Sequence, residues 1–459
     1  VENLKGLSRR GFLKMAGIAA AGGILAACAP AAAPPTEAPS EPAEETGGEA
    51  APLTGELTFW IRDFWGGDMP DDIAAWFNDL DTGITVKWEL GDFDENTKIM
   101  SALAAGNPPP VAHLGRWQIG DMAVRNAIVP FDDYIAQSDT FKWDNVWDRM
   151  QVDCTMFGKK WTVPLSTDTR AFFWNKRLVE EAGLDPEAPP TTWEQLLDAA
   201  PKLTKRDDGG RLDQIGFTPS FANPPVYLMF FSVLWCKGGQ IVDDDYTAIS
   251  IASQEGVEAM EYLKELLDAQ GGYEEAVAFT TALTPGENLD AFTIEKVATM
   301  MMGQWVFTNY DKYTPDLEYG IAPGPVFDGM DEHCNYDGGG SWFIFKEGGQ
   351  PDLGWKFIEA VMEDDFLIPL SDKYNLLPGT KSASAAYAEM DERRPVFVET
   401  ANTVKWIPVF SGTLETLSAM STAFDNILIG GADIESELAT AQDKMQVILN
   451  RHNSFPPPV

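Results

Sequence analysis

Three short runs set a planar hydrogen-bonding group beside a flat aromatic one: Asp63-Phe64-Trp65, Arg116-Trp117-Gln118 and Tyr336-Asp337-Gly338. Asp168, Trp235, Trp305 and Trp406 add isolated members of the same two kinds. Such groups suit non-covalent recognition of a molecule that carries hydroxyls and an apolar face. A charged hydrogen bond contributes about 1.5–3 kcal/mol and fixes orientation, and a stacked ring contributes about 1 kcal/mol. The Arg116-Trp117 pair could equally form a local cation–π stack. All fifteen tryptophans lie after residue 59, more than one core needs, so some are expected to face a ligand.

Covalent and metal chemistry find little support. His113, His333 and His452 are isolated, and no His-x-x-x-His, Gly-x-Ser-x-Gly or phosphate-loop motif occurs. The four cysteines match no zinc spacing. The runs Asp243-Asp244-Asp245 and Glu363-Asp364-Asp365 read as solvated faces rather than calcium cages, which need several spaced oxygen ligands. Asp63 and Asp168 could be imagined as the carboxylate pair of a glycosidase, but any chain with 71 acidic residues offers such pairs. No catalytic residue, metal or cofactor is expected. The net charge of −38 argues against nucleic acid or an anionic membrane surface as partner.

These side chains need a scaffold of mixed type. Leu57–Ile61 reads as a strand, Asp71–Leu80 as a helix, Thr85–Glu89 as a strand, Lys98–Ala105 as a helix and Val111–Leu114 as a strand. That β-α-β-α-β order is the pattern of a parallel sheet with helices on its faces. Thr192 with Gln195 three residues on is a capping box opening a helix to Leu203, and Ser253 caps another to Leu267. Two apolar stripes at helical spacing run through the tail, from Leu414 to Leu428 and from Ile434 to Ile448. The body of about 400 residues suggests two domains.

The N-terminus reads as an address. Arg9-Arg10 before Phe12-Leu13-Lys14 looks like a twin-arginine export signal, and Leu25-Ala26-Ala27-Cys28 looks like a lipobox. Residues 1–27 are thus expected to be a signal peptide, with an apolar stretch too short and Gly-rich to span a bilayer stably. Lipidated Cys28 would anchor the chain to the outer face of the cytoplasmic membrane. Residues 28–52, rich in Ala, Pro and Glu, are expected to form a disordered spacer. Cys154, Cys236 and Cys334 then remain, enough for at most one internal disulfide.

From Leu53 to Asn450 the chain resembles the extracellular solute-binding proteins of ABC sugar importers, the branch that includes maltose-binding protein. The resemblance rests on ordered blocks: Leu57–Ile61, Ala104-Ala105-Gly106, Asn126–Asp132, Trp161–Leu165, Phe173–Lys176, Glu181–Leu184, Pro190–Trp193, Lys296–Met300 with Gly303-Gln304-Trp305, Gly338-Gly339-Gly340, Trp355–Ile358 and Leu377-Pro378. Thr416-Leu417-Ser418 departs from it where an aromatic usually stacks on sugar. It implies an α/β, two-lobed periplasmic-binding-protein-like (type II) fold with the ligand cleft between lobes. Residues 53–166 and 331–380 would form one lobe, and 167–330 and 381–459 the other. It also implies ligand-binding roles for Asp63, Phe64, Trp65, Arg116, Trp117, Gln118, Asp168, Trp305, Tyr336, Asp337 and Gly338, with Trp235 and Trp406 weaker members. The expected protein is a lipid-anchored monomer that captures a mono- or oligosaccharide and passes it to the transmembrane subunits of an ABC permease. The alternatives are the same fold holding a polyamine, a phosphorylated polyol or a short peptide, and more remotely a cell-surface glycosidase.

Overall fold

Alternation builds the first strand of the computed structural model, which describes residues 52–62, 68–91, 97–218, 226–330, 333–405 and 407–456. In β1 (Gly55–Ile61) Leu57, Phe59 and Ile61 point inward and are fully buried, as the period of two in a pleated strand requires. Helix α1 (Met69–Asp79) opens with a proline in its first turn, where Asp71 and Asp72 complement the positive end of the helix. Strand β2 (Ile84–Leu90) pairs in parallel with β1, from Gly55 opposite Ile84 to Ile61 opposite Leu90. Helix α2 (Thr97–Ala104) leads to β3 (Val111–Gly115), parallel on the other side of β1. The expected β-α-β-α-β unit is therefore present. Helix α3 (Ile119–Val124) follows, β4 (Val163–Pro164) is a strand at the edge of this sheet, and β5 (Ser166–Thr167) carries the chain away from it.

Strand β6 (Ala171–Asn175) opens a second sheet. Phe173 faces one core and Phe172 with Trp174 the other. Helix α4 (Trp193–Leu203) starts at the capping box of Thr192 and Gln195, with both reciprocal bonds formed. Strands β7 (Lys205–Arg206) and β8 (Leu212–Thr218) come next, then α5 (Val226–Cys236) and α6 (Gln254–Asp268), the latter capped by Ser253. Strand β9 (Val297–Met302), helix α7 (Phe307–Tyr313) and strand β10 (Tyr319–Pro323) complete a sheet of order β10-β6-β9-β8-β7. Strands β8 and β9 are parallel, and β6 is antiparallel to both its neighbours.

The chain then returns through β11 (Asn335–Tyr336) to β12 (Gly340–Ile344), which lies antiparallel between β3 and β4. The first sheet thus has the order β2-β1-β3-β12-β4. Trp342 on β12 is fully buried and meets Phe59 and Phe357 edge-on, with Phe357 contributed by α8 (Pro351–Val361). Helix α9 (Asp364–Tyr374) precedes β13 (Leu377–Pro378), which pairs with β5. Helix α10 (Lys381–Glu389) packs on α9, whereas α11 (Pro395–Thr400) packs on β10 of the second sheet. Strand β14 (Val404–Lys405) pairs with β11. The tail helices α12 (Thr413–Leu428) and α13 (Ile434–Asn453) lay Leu417, Met420, Phe424 and Ile427, and Leu438, Ala441 and Met445, into the second core beside α5 and α6. Two α/β lobes result, and the chain passes between them at Ser166–Arg170, at Asp337–Gly339 and between α10 and α11.

Candidate functional site

The two sheets end a strand in the same way. β3 closes on Gly115, and Arg116-Trp117-Gln118 make one 3₁₀ turn before α3. β9 is followed by Gly303, and Gln304-Trp305-Val306 make one 3₁₀ turn before α7. In both, the tryptophan two residues after the glycine folds back over it. A Cβ on Gly115 would lie 2.3 Å from the Trp117 ring, and one on Gly303 would lie 1.7 Å from the Trp305 ring. Each glycine is the space its tryptophan occupies. Strand ends of this kind are where α/β sheets hold ligands.

Arg116 reaches from the end of β3 to both neighbouring crossings. Its Nη1 donates to the carbonyl of Ser166 at 3.2 Å, and its Nη2 donates to Asp337 Oδ1 and to the Gly338 carbonyl. The pair is sealed from solvent, with side-chain exposures of 1% for Arg116 and 0% for Asp337. Burial pushes the Asp337 carboxyl up, Arg116 pulls it down, and Asp153 and Asp168 push it up again, leaving it at about 7. For Arg116, burial opposes the charge, and Asp337 together with Cys154, Asp153 and Asp168 outweighs it, so the guanidinium is held above its ordinary value. The close approach of the crossings depends on Gly339, at φ +82°, where a Cβ would fall 2.5 Å from the Ser166 carbonyl.

A second arginine stands beside the first. Arg170 donates through Nη1 to Asp168 Oδ1 at 2.6 Å. Its guanidinium lies 4.5 Å from the Trp305 ring centroid and 4.4 Å from that of Tyr336, the geometry of a double cation–π contact. Burial works against the Arg170 charge, but Asp168 and Tyr336 more than offset it. Asn335 Nδ2 donates to the Arg170 carbonyl, joining the first crossing to β11. Asp168 remains partly open, at 19% side-chain exposure against 11% for Arg170. Trp305 is also partly open.

The structure therefore gathers Arg116, Asp168, Trp305, Tyr336, Asp337 and Gly338 into one group. Trp117 and Gln118 are adjacent but buried. Trp235 lies apart: it is buried in the second core, stacked on Phe231 at 5.6 Å. Asp63, Phe64, Trp65 and Trp406, and the N-terminal Arg9, Arg10 and Cys28, lie outside the described residues. Arg170 is the member that sequence reasoning misses. Its only signal is a position two residues after Asp168 in an extended run, which puts both side chains on one side of the strand. Among the described residues no group of three His, Cys, Asp or Glu could hold a metal ion. A cavity of about 700 Å³ opens elsewhere, beside Tyr310, Asp311, Tyr319 and Arg393, and none of the gathered residues lines it.

Two α/β lobes, with polar and aromatic side chains gathered where the chain crosses between them, define the type II solute-binding class. Residues 72–395 match the family of bacterial extracellular solute-binding proteins, and the chain belongs to that family. Its members are binding proteins rather than enzymes. A protein of Brucella abortus (strain 2308), whose name gives it a provisional binding role, is 23% identical over 402 residues, 86% of this chain and 94% of its own. CpMnBP1 with mannotriose bound is similar at TM-score 0.73 and 25% identity, over 85% of this chain and 99% of that one. UgpB from Mycobacterium tuberculosis, in complex with glycerophosphocholine, shares the fold at TM-score 0.72 and 20% identity, over 87% and 99% of the two chains. No helix among the described residues is long and apolar enough to cross a membrane.

Proposed function

We propose that this protein is the receptor of an ABC importer, capturing a mono- or oligosaccharide between its lobes and delivering it to a membrane permease. The observation that carries this reading is the group at the crossings. Asp168 and Trp305 offer an open carboxylate edge beside an indole face, and Arg170 locks both in place. That pairing suits a ring with hydroxyls on its rim and C–H bonds on its face. The ligand's work is to favour the closed arrangement by touching both lobes. The likeness to CpMnBP1 with mannotriose adds support for a sugar. Export by the Arg9-Arg10 signal and lipidation at Cys28 would hold the receptor, as a monomer, beside its permease. The Asp168–Arg170 bond, Trp305, Tyr336 and the Arg116–Asp337 pair form the binding region in this reading.

Isothermal titration with mannobiose, mannotriose and malto-oligosaccharides tests it. A 1:1 complex is expected, and Trp305→Ala is expected to weaken it about tenfold, the equivalent of about 1.4 kcal/mol. A folded protein that shows neither heat nor thermal shift with any mono- or oligosaccharide overturns the sugar reading. Arg170 favours one second reading, a phosphorylated polyol, whose phosphate a guanidinium recognises bidentately. Binding of glycerophosphocholine in the same screen, without sugar binding, would select it.

A further inference from the structure

The sequence leaves open whether any two of Cys154, Cys236 and Cys334 pair. The fold separates them clearly. Cys154 is buried in the first lobe, 3.9 Å from the Ser341 hydroxyl. Cys236 ends α5, and Cys334 immediately precedes β11, the strand on which α5 packs. The Cys236 sulfur lies 3.6 Å from the Cys334 carbonyl and within hydrogen-bonding reach of the Cys334 side chain. Both are buried in the second core. Residues 98 positions apart thus place the Cys236 sulfur against the Cys334 backbone, with both side chains present as thiols in this structure.

We propose that Cys236 and Cys334 are the two thiols of a disulfide that closes when the chain meets a disulfide oxidant outside the cytoplasm. The location rests on the functional reading above; the pairing rests on the fold alone. Contact with the Cys334 side chain lowers the Cys236 pKa, burial raises it, and the Trp193 indole, the Cys334 backbone and Lys405 lower it further. The Cys236 thiolate attacks one sulfur of a disulfide reagent RS–SR, forming a mixed disulfide and releasing RS⁻. The Cys334 thiolate then attacks the Cys236 sulfur and releases the second RS⁻. The two cysteine protons end on two RSH; the protein loses two electrons and the reagent gains them.

The bond would tie the C-terminal end of α5 to the strand that runs into Tyr336 and Asp337. It would anchor one side of the second crossing in the second lobe, next to the arginine-bearing group. Because both sulfurs are buried, exchange in the folded protein requires local opening, whereas exchange during refolding does not.

The test uses the full chain carrying Cys28→Ser, refolded from denaturant in a glutathione redox buffer and digested without reduction. The expected product is one linked peptide pair containing Cys236 and Cys334, two hydrogens lighter than the separate peptides. Cys154→Ser should leave it unchanged, and Cys236→Ser or Cys334→Ser should abolish it. The oxidised protein should melt about 5 °C or more above its reduced form, since a closed loop of this length constrains the unfolded chain strongly. A link involving Cys154, a full set of alkylatable thiols after refolding, or a lower melting temperature on oxidation each overturns the pairing. A link that forms in the buffer but is missing from protein recovered from cells upholds the pairing and overturns its closure by an oxidant met outside the cytoplasm.

Discussion

Replacing Arg116 by Met would strand a carboxyl group where water cannot reach it. In the native protein Arg116 and Asp337 are sealed together, with exposures of 1% and 0%. The variant first loses the donors to the Ser166 and Gly338 carbonyls, about 2 kcal/mol in all, whatever the pH. A second loss depends on pH. Burial raises the Asp337 pKa and Arg116 lowers it, to a native value of about 7, so without Arg116 the folded pKa rises further. A raised folded pKa means that the unfolded chain ionises first, and stability falls as pH rises towards the folded value. Below about pH 7 both proteins hold Asp337 neutral when folded, and their stabilities fall in parallel. Above it only the wild type can ionise, and the gap widens by up to about 1.4 kcal/mol per pH unit. The penalty should therefore be about 2 kcal/mol at pH 6 and about 4 kcal/mol at pH 8.5, within the range for breaking a buried pair. Asp153, whose pKa Arg116 also lowers, acts in the same direction. Urea unfolding followed by tryptophan fluorescence reads it. The double variant Arg116→Met with Asp337→Asn removes the stranded acid and should exceed the single variant by more at pH 8.5 than at pH 6. A penalty that is the same at both pH values, or a double variant no better than the single one at pH 8.5, would refute the reasoning.

Gly303→Ala should displace the Trp305 ring without removing it, and titration should show a loss of sugar affinity approaching that of Trp305→Ala. Gly339→Ala should destabilise the fold by about 1–3 kcal/mol in urea, since it combines a left-handed backbone with a contact of 2.5 Å to the Ser166 carbonyl. His113 gives a pH dependence of definite sign. Burial is the main cause that depresses its pKa from 6.5 to about 3, so the unfolded chain takes up a proton that the folded one refuses. Its contribution is fully present above pH 6.5 and is lost as pH falls towards 3, at up to about 1.4 kcal/mol per pH unit. Denaturation midpoints at pH 7, 5 and 4 should fall more steeply for wild type than for His113→Gln.

The first strand of the first lobe is legible because its residues alternate cleanly. Leu57, Phe59 and Ile61 can bury only one face, and the helices between the strands carry ordinary start and stop signals. The capping residues Thr192 and Ser253 are legible for the same local reason. Helix α5 is not. Val226–Cys236 is apolar almost throughout and offers no period to read, because so much of it packs in the second core. Trp235, a weaker ligand candidate drawn from the count of tryptophans, lies in that core. The gathering of Arg116, Asp168, Trp305, Tyr336 and Asp337 follows from family resemblance rather than from any local pattern. The partner that holds them, Arg170, follows from neither. Its carbonyl and the Asn335 side chain that meets it are 165 positions apart, and contacts over such separations leave no trace in spacing. The roles of the two arginines depend on where chain crossings meet, and local sequence does not encode that meeting point.

The Arg116 contacts give the molecule an axle. One guanidinium belongs to the first sheet yet grips both Ser166 and Gly338, so the two crossings share a single bearing instead of two separated ones. With two of the three crossings gripped at one point, turning about that point is favoured over sliding. A few degrees of rotation there move atoms near the bearing very little and atoms at the far rim a great deal. Asp168 and Trp305 sit close to the bearing and would keep nearly constant spacing through the swing, whereas groups on the rim would sweep across the mouth. If the chain binds between its lobes as proposed, groups near the bearing would meet the ligand at fixed spacing and groups on the rim at variable spacing.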